Sequence, residues 1–164
     1  MTKRRVQNAK KRTVRYVDTS IVLNMLNVPG RNQDRDHVLR ELAESQGDTF
    51  ILPLSSIIET GNHIAHLADG FQRRQAAERF TELLKKIARG EFPWTMDKLS
   101  MDRKDLEFYA SHFPDYAVRG VGMGDLSIIR EFTRYVERIG PSVSGIVVKI
   151  WSLDAHLSGY VEEL

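Results

Sequence analysis

Apolar residues along the chain follow two spacings, which alternate at short intervals and predict strands followed by helices. Residues 14–17, Val-Arg-Tyr-Val, form a short run of strand formers, whereas the apolar residues after them fall at helical spacing. Short apolar runs at 49–54 and 144–153 predict two more strands. Helical spacing with glycine or proline stops predicts helices around 21–26, 38–43, 55–70, 71–90, 102–113 and 125–140.

Strands that alternate with helices indicate a parallel sheet covered by helices on both faces. The predicted fold class is therefore α/β, with a single domain at 13–164 built on a central parallel sheet flanked by helices. Residues 71–120 fit this scheme least well, and we interpret their helices as an element added on one side of the sheet. Residues 91–100 are predicted to be irregular.

Composition narrows the class of protein without identifying it. A chain of 164 residues with 41% hydrophobic and 28% charged residues is typical of one globular domain. No apolar stretch is long enough for a membrane span, and no apolar segment follows the basic start as in a secretory signal. The absence of cysteine excludes disulfides and thiolate metal sites, and we expect a protein of the cytoplasm that does not enter a membrane.

Positive charge is concentrated in residues 1–12, which contain no acidic residue. The remaining chain carries 18 basic and 22 acidic residues, a net charge of −4. We interpret residues 1–12 as a flexible basic arm that binds nucleic acid, and the alternatives are a solvated tail or a targeting signal. The residues assigned to nucleic-acid binding are Lys3, Arg4, Arg5, Lys10, Lys11 and Arg12.

Four carboxylates stand where a predicted strand ends or a predicted helix begins. Asp18 follows the first strand and Asp154 the last, Asp125 opens a helix after the glycine-rich stretch GVGMG, and Glu59 lies near the start of the helix after TFILPL. The carboxyl ends of parallel strands share one edge of a sheet, so these four side chains are predicted to converge there. Carboxylates brought together repel one another, and a divalent cation removes that repulsion.

Each carboxylate also has a purely structural interpretation. Asp18 and Asp125 are good helix N-caps, and Asp154 is suited to starting a turn. Ser56 and Glu59 match the capping box Ser-x-x-Glu. The helix of Glu59 places Asn62, His63 and His66 on the same polar face, where we interpret them as solvated or RNA-facing rather than as metal ligands.

The order and context of these motifs resemble those of PIN domains, a family of metal-dependent nucleases that includes many toxins and RNA-processing factors. The similarity lies in YVDTSIVLNML, LPLSSIIETGNHI, GVGMGDLSII and VVKIWSLDAHL, which together span nearly the whole chain. In the last motif, Ser152 stands where the family often has threonine and Leu157 where it often has phenylalanine. The resemblance implies an α/β/α sandwich and an endoribonuclease that hydrolyses RNA phosphodiester bonds.

The resemblance and the chemistry of phosphodiester hydrolysis assign roles to the candidate residues. Mg²⁺ and Mn²⁺ prefer carboxylate oxygens, so Asp18, Asp125 and Asp154 are expected to be catalytic metal ligands. Glu59 is expected to bind a second ion or to orient the attacking water. Ser20 is expected to orient a ligand carboxylate by a hydrogen bond, and Ser152 is placed in the same supporting role.

The partners implied by the resemblance are RNA and, if the protein is a toxin, an antitoxin or another regulatory protein. A homodimer is also compatible with the sequence. The alternative function is a non-catalytic RNA-binding or protein-interaction module on a PIN fold. Other phosphate-handling α/β enzymes fit less well, because the chain has Asp-Thr-Ser where a haloacid dehalogenase-type phosphatase has Asp-x-Asp, and it has no P-loop.

Overall fold

The fold was analysed in a computed structural model that describes residues 11–98 and 100–164. Strands and helices alternate from the first strand onward, as the spacing of apolar residues predicts. The strands are β1 (Arg12–Val17), β2 (Thr49–Ile51), β3 (Trp94–Thr95), β4 (Ile146–Trp151) and β5 (Val161–Glu163). The helices are α1 (Thr19–Met25), α2 (Arg35–Glu44), α3 (Leu54–Ala65), α4 (Gly70–Ala88), α5 (Arg103–Val118), α6 (Met123–Ile139) and α7 (Ala155–Ser158).

The five strands form one sheet in the order β3-β2-β1-β4-β5. The first four are parallel, and Val14 of β1 lies opposite both Thr49 of β2 and Val148 of β4. The α/β class with a central, mostly parallel sheet is therefore confirmed. The sheet departs from parallel pairing at one edge, because the short helix α7 reverses the chain and β5 returns antiparallel to β4.

Helices cover both faces of the sheet and enclose two apolar cores. Successive residues of β1 point to opposite faces, so Tyr16 belongs to one core and Val17 to the other. The core around Val17 is closed by α1–α4 and contains Phe80 of α4. The core around Tyr16 is closed mainly by α6, with Tyr116 of α5 packed against it.

Residues 71–120 are distributed over the whole domain rather than added on one side. Helix α4 covers one core and α5 reaches the other, while β3 extends the sheet beyond β2. The prediction that 91–100 is irregular is wrong for Trp94 and Thr95, because this two-residue strand is too short to show a period in the sequence. Residues 71–120 therefore form part of both cores and of the sheet.

Helix α5 continues through Pro114, although we expected it to end before that residue. A proline inside a helix removes one hydrogen bond and clashes with the preceding turn, which costs about 3 kcal/mol. The last turn of α5 nevertheless carries Tyr116, which packs against the second core. This packing explains why the helix extends past a residue that normally ends one.

The start of the sheet lies close to the predicted boundary between arm and domain. Strand β1 begins at Arg12, whose guanidinium donates a 3.4 Å hydrogen bond to Thr49 Oγ1, and Lys11 forms an ion pair with Glu163. The other four residues assigned to the arm, Lys3, Arg4, Arg5 and Lys10, lie outside the described residues. Within the described part of the chain, no helix is long and apolar enough to cross a membrane.

Candidate active site

Asp18, Glu59, Asp125 and Asp154 line a single cavity of about 290 Å³. Asp18 follows β1 and Asp154 follows β4, and these two strands are neighbours, so their carboxyl ends meet at one edge of the sheet. Asp125 lies in the first turn of α6, and Glu59 lies in α3, which packs against both α1 and α6. The fold thus brings together four carboxylates from distant parts of the sequence, as their positions predict.

Asp18 is held by hydrogen bonds to one of its two carboxylate oxygens. Its Oδ2 accepts from Ser20 N at 3.2 Å, from Ser20 Oγ at 2.6 Å and from Ser152 Oγ at 2.8 Å. The bond from Ser20 N makes Asp18 the N-cap of α1, so the structural interpretation holds for this residue. In the described part of the chain, Oδ1 has no hydrogen-bond donor, so one oxygen of this fixed carboxylate stays available.

Ser20 and Ser152 link the first carboxylate to the last. Ser152 Oγ accepts a 3.0 Å hydrogen bond from Asp154 N, and Ser20 Oγ accepts one of 3.1 Å from Leu153 N. Asp154 caps the short helix α7, because its Oδ1 accepts from His156 N at 2.8 Å. Its other oxygen has no donor among the described residues, so Asp154 resembles Asp18 in being held at one oxygen.

Asp125 has a different environment, because it caps no helix. The N-cap of α6 is Gly122, and Asp125 lies three residues further along. Burial, together with the charges of Asp18, Glu59 and Asp154, raises the pKa of Asp125 to about 6, although His156 acts in the opposite direction. The N-cap interpretation is therefore wrong for this residue, and its carboxylate is instead surrounded by like charge.

The capping box expected at Ser56 and Glu59 does not form. The N-cap of α3 is Pro53, and Ser56 Oγ donates a buried 2.8 Å hydrogen bond to the carbonyl of Val17. Glu59 Oε2 accepts a 3.0 Å hydrogen bond from Thr19 Oγ1 instead. The helix therefore does not need Glu59 at its start, and the side chain belongs to the cavity.

The four carboxylates carry no compensating partner in the part of the chain that the structure describes. None of them lies within 4 Å of a lysine, arginine or histidine nitrogen there, whereas other acidic side chains of the domain form ion pairs. Asp18 is buried and Glu59 and Asp125 are half-buried, and negative charge in such positions without a partner is unfavourable. The cavity is thus a place where a cation would be stabilised.

The donor set fits Mg²⁺ or Mn²⁺ in chemistry, although it is not assembled into a finished site. The described residues contain no group of three or more histidine, aspartate or glutamate side chains already arranged to hold a metal ion. Mg²⁺ usually keeps several waters and needs only one or two carboxylates from the protein. The free oxygens of Asp18 and Asp154 and the unpaired carboxylate of Asp125 meet that requirement.

Positive and polar groups also line the cavity, and the sequence indicated only one of them, His63 on the polar face of α3. These groups are the side chains of Arg31, Gln33 and His63. The loop that presents Arg31 is tied to α1 by Asn24, whose side chain donates to Ser20 O and accepts from Asp34 N, both at 2.9 Å. In the sequence, the stretch NVPGRNQD indicated only the end of a helix. The run of polar residues after Gly30 is the feature that could have indicated a functional loop.

His63 is the one histidine of the polar face of α3 that lines the cavity. Burial and the nearby charge of Arg31 lower its pKa, while Glu59 opposes that shift. His66 instead lies at the end of the helix and contacts the carbonyl of Asn62. The polar face thus contributes Glu59 and His63 to the cavity and separates them from His66.

Comparisons with known proteins find similarity only at the level of solved structures. No family model and no curated protein matches the sequence. Among the solved structures, the chain is similar to one from the crystal structure of VapBC2 from Rickettsia felis bound to a DNA fragment from their promoter. The two share 12% identity and a TM-score of 0.46, over 85% of this chain and 99% of that chain.

Proposed function

We propose that this protein is a metal-dependent endoribonuclease, which hydrolyses RNA phosphodiester bonds with Mg²⁺ or Mn²⁺. One observation carries the proposal: four carboxylates line one cavity, and none of them has a cationic partner within the described residues. Such a cluster of like charge is unfavourable, whereas the buried carboxylate of Asp105 forms ion pairs with Arg130 and Arg134. The selection of RNA as substrate rests on the resemblance of the four motifs to those of PIN domains.

The residues of the cavity have distinct roles in this proposal. Asp18 and Asp154, each held at one oxygen, and Asp125, with no hydrogen-bond donor among the described residues, would hold the metal. The bound ion would neutralise charge on the scissile phosphate and lower the pKa of the attacking water. Glu59 would orient that water or help to hold a second ion, and Ser20 and Ser152 keep the carboxylate of Asp18 in place.

Arg31 is suited to bind the RNA backbone beside the scissile bond. It lines the same cavity as the carboxylates, and no hydrogen bond or ion pair of its side chain to another described residue is present. A guanidinium binds a phosphate through two parallel hydrogen bonds. His63 and Gln33 also line the cavity and would offer the substrate further polar contacts beside the carboxylates that would hold the metal.

The proposed nuclease is a candidate toxin of a toxin–antitoxin pair, with the antitoxin or another regulatory protein as its partner. The motif resemblance supports this extension, and the genes beside the coding sequence are the simplest check. A small DNA-binding protein encoded next door would favour a toxin. An RNA-processing neighbour would favour a housekeeping role, and gel filtration would show whether the chain is a homodimer.

The experiment that tests the proposed activity compares wild type with Asp125→Asn, each with Mn²⁺ or Mg²⁺ and with a chelator. The amide keeps the shape of the side chain and removes its charge. Cleavage should require both the metal and Asp125, and the variant should be slower by at least about 100-fold, since losing a few kcal/mol of transition-state stabilisation has that effect. Equal cleavage in all four reactions would exclude the mechanism.

If the wild type binds RNA but cleaves none under any of these conditions, the alternative function applies, which is a non-catalytic RNA-binding module. If it binds neither RNA nor metal, the protein-interaction alternative applies. Binding should therefore be measured on the same RNA samples as cleavage, using fluorescence anisotropy for affinity and gel electrophoresis for products.

A further inference from the structure

The carboxylate of Glu59 is held in place by the residues next to two of the other carboxylates. Thr19, which follows Asp18, donates a 3.0 Å hydrogen bond to Glu59 Oε2. Thr19 is buried, with 5% of its surface exposed, so its hydroxyl has little freedom to choose another partner. The other oxygen of Glu59, Oε1, lies against Gly124, which precedes Asp125 in the first turn of α6.

The space that Glu59 occupies exists because residue 124 has no side chain. A Cβ built on Gly124 would overlap Oε1 and Cδ of Glu59 and would stand 3.0 Å from Oε2. The backbone of Gly124 is helical and does not need glycine, unlike the left-handed turns at Gly90 and Gly120. Glycine is less favourable than alanine in a helix, so helix formation does not explain its presence.

We propose that Gly124 is a positioning residue for Glu59, which leaves room for the carboxylate beside Asp125 while Thr19 holds its Oε2 atom. The catalytic consequence of this contact rests on the function proposed above, whereas the contact between Gly124 and Glu59 does not. Glu59 touches the first turns of both α1 and α6 through these two residues. Its position relative to Asp18 and Asp125 is therefore fixed by van der Waals contact as well as by hydrogen bonding.

The substitution Gly124→Ala tests whether the missing side chain at residue 124 positions Glu59. The overlapping atoms are at the end of a flexible side chain, so the new methyl group should displace the carboxylate rather than the backbone. The fold should survive, and the hydrogen bond from Thr19 should be lost. The matched control is Gly61→Ala in α3, where a new Cβ would meet only Phe80 Cε1 at 3.9 Å, an ordinary contact.

Thermal unfolding without metal tests the contact alone. In a Glu59→Ala background, Gly124→Ala should raise the melting temperature by about 1–3 °C, because alanine favours the helix and meets no carboxylate. With Glu59 present the same substitution should give no increase, or a decrease. An equal increase in both backgrounds would overturn the proposal, whether or not the protein is a nuclease.

Calorimetric titration with Mn²⁺ alone tests the consequence for the site. Gly124→Ala should weaken Mn²⁺ binding at least tenfold, and Gly61→Ala should leave it unchanged. Unchanged affinity in Gly124→Ala, beside measurable binding by the wild type, would overturn the positioning role. If the wild type does not bind Mn²⁺, the proposed function fails, and the unfolding comparison still decides whether Gly124 positions Glu59.

Discussion

Asp105 of α5 and Asp125 of α6 are two carboxylates that differ in their partners. Asp105 forms ion pairs with Arg130 and Arg134 of α6, and it shares a capping box with Asp102 at the start of α5. Asp125 has no such partner among the described residues and faces three other carboxylates. The charge of the buried Asp105 is thus neutralised by the protein, and that of the half-buried Asp125 is not.

The pKa shifts of the two side chains reflect this difference. Burial acts to raise the pKa of Asp105, but the hydrogen bond with the Asp102 backbone and the two guanidinium groups outweigh it and hold the pKa below its ordinary value. For Asp125, burial and neighbouring charge act in the same direction and raise the pKa to about 6. A buried carboxylate therefore indicates a site only when the protein itself provides no counter-charge.

The largest predicted effect on stability is that of Asp105→Ala. Removing this buried carboxylate leaves Arg130 without its partner and Arg134 with only the longer 3.9 Å ion pair to Asp102, which should lower the free energy of unfolding by about 3–5 kcal/mol. Chemical denaturation of both proteins measures the difference. Glu107→Ala on the exposed side of the same helix is the control and should change stability little. A loss in Asp105→Ala no greater than in the control would contradict the structural role.

Asp125→Asn should have the opposite effect in the absence of metal. The substitution removes one of four mutually repelling charges, so the metal-free protein should be as stable as wild type or more stable by up to about 1–2 kcal/mol. Adding Mn²⁺ should raise the melting temperature of wild type and not that of the variant. If the variant is markedly less stable than wild type when a chelator is present, Asp125 is a structural residue like Asp105.

Glu131 is intermediate between Asp105 and Asp125, because a single nearby arginine, Arg134, acts to lower its pKa. Burial and the charges of Asp97 and Asp105 outweigh this effect and raise the pKa to about 7. The buried Tyr16 hydroxyl, which donates a hydrogen bond to Asp97, also lies within reach of the charge of Glu131. A carboxyl whose pKa is raised on folding binds more protons in the folded state, so stability falls as pH rises from about 4.5 through 7.

Glu131→Gln should therefore stabilise the protein at pH 8 by about 1–3 kcal/mol and have little effect at pH 5, where the wild-type carboxyl is already neutral. Urea denaturation at the two pH values gives the comparison, and the exposed Glu137→Gln on the same helix provides the control. The same gain at both pH values would show that the charge of Glu131 is not the cause.

The smallest predicted effect concerns the basic arm, which contrasts with the acidic cavity in the same chain. Deleting residues 1–10 removes Lys3, Arg4, Arg5 and Lys10 and leaves Lys11 and Arg12, which contact the folded domain. For single-stranded RNA, the slope of the logarithm of the binding constant against the logarithm of the salt concentration should become flatter by about 1–3. Each lost phosphate contact accounts for roughly 0.7 of this change. Identical slopes would indicate a solvated tail, and turnover with saturating RNA should not change.

The strand ends could be predicted from the sequence because they depend on local patterns. Asp18 and Asp154 follow apolar runs directly, so the change of spacing placed both at the same edge of a parallel sheet. The contacts that complete the site were not predictable in this way. Thr19 meets Glu59 across 40 residues of sequence, and Gly124 matters through the space it leaves, which no periodicity records.

The edge strands β3 and β5 were missed for a related reason. A strand of two or three residues, such as β3 or β5, shows no alternation and exists because a neighbouring strand provides its hydrogen bonds. The interpretation of Asp125 as a cap failed because the sequence could not show that Gly122 begins the helix. Long-range packing decides such cases, as it does for the helix through Pro114.

Strand β5 has a consequence for how the protein behaves at high concentration. It covers β4, whose side chains Val148, Ile150 and Trp151 are buried, and backbone bonds join Leu164 to Ile146 on the same edge. Without β5, the unpaired N–H and C=O groups of this apolar strand would be a template for another chain. Exposed Glu162 and Glu163 instead place negative charge at this border, so β5 shields the β4 edge of the sheet from intermolecular pairing.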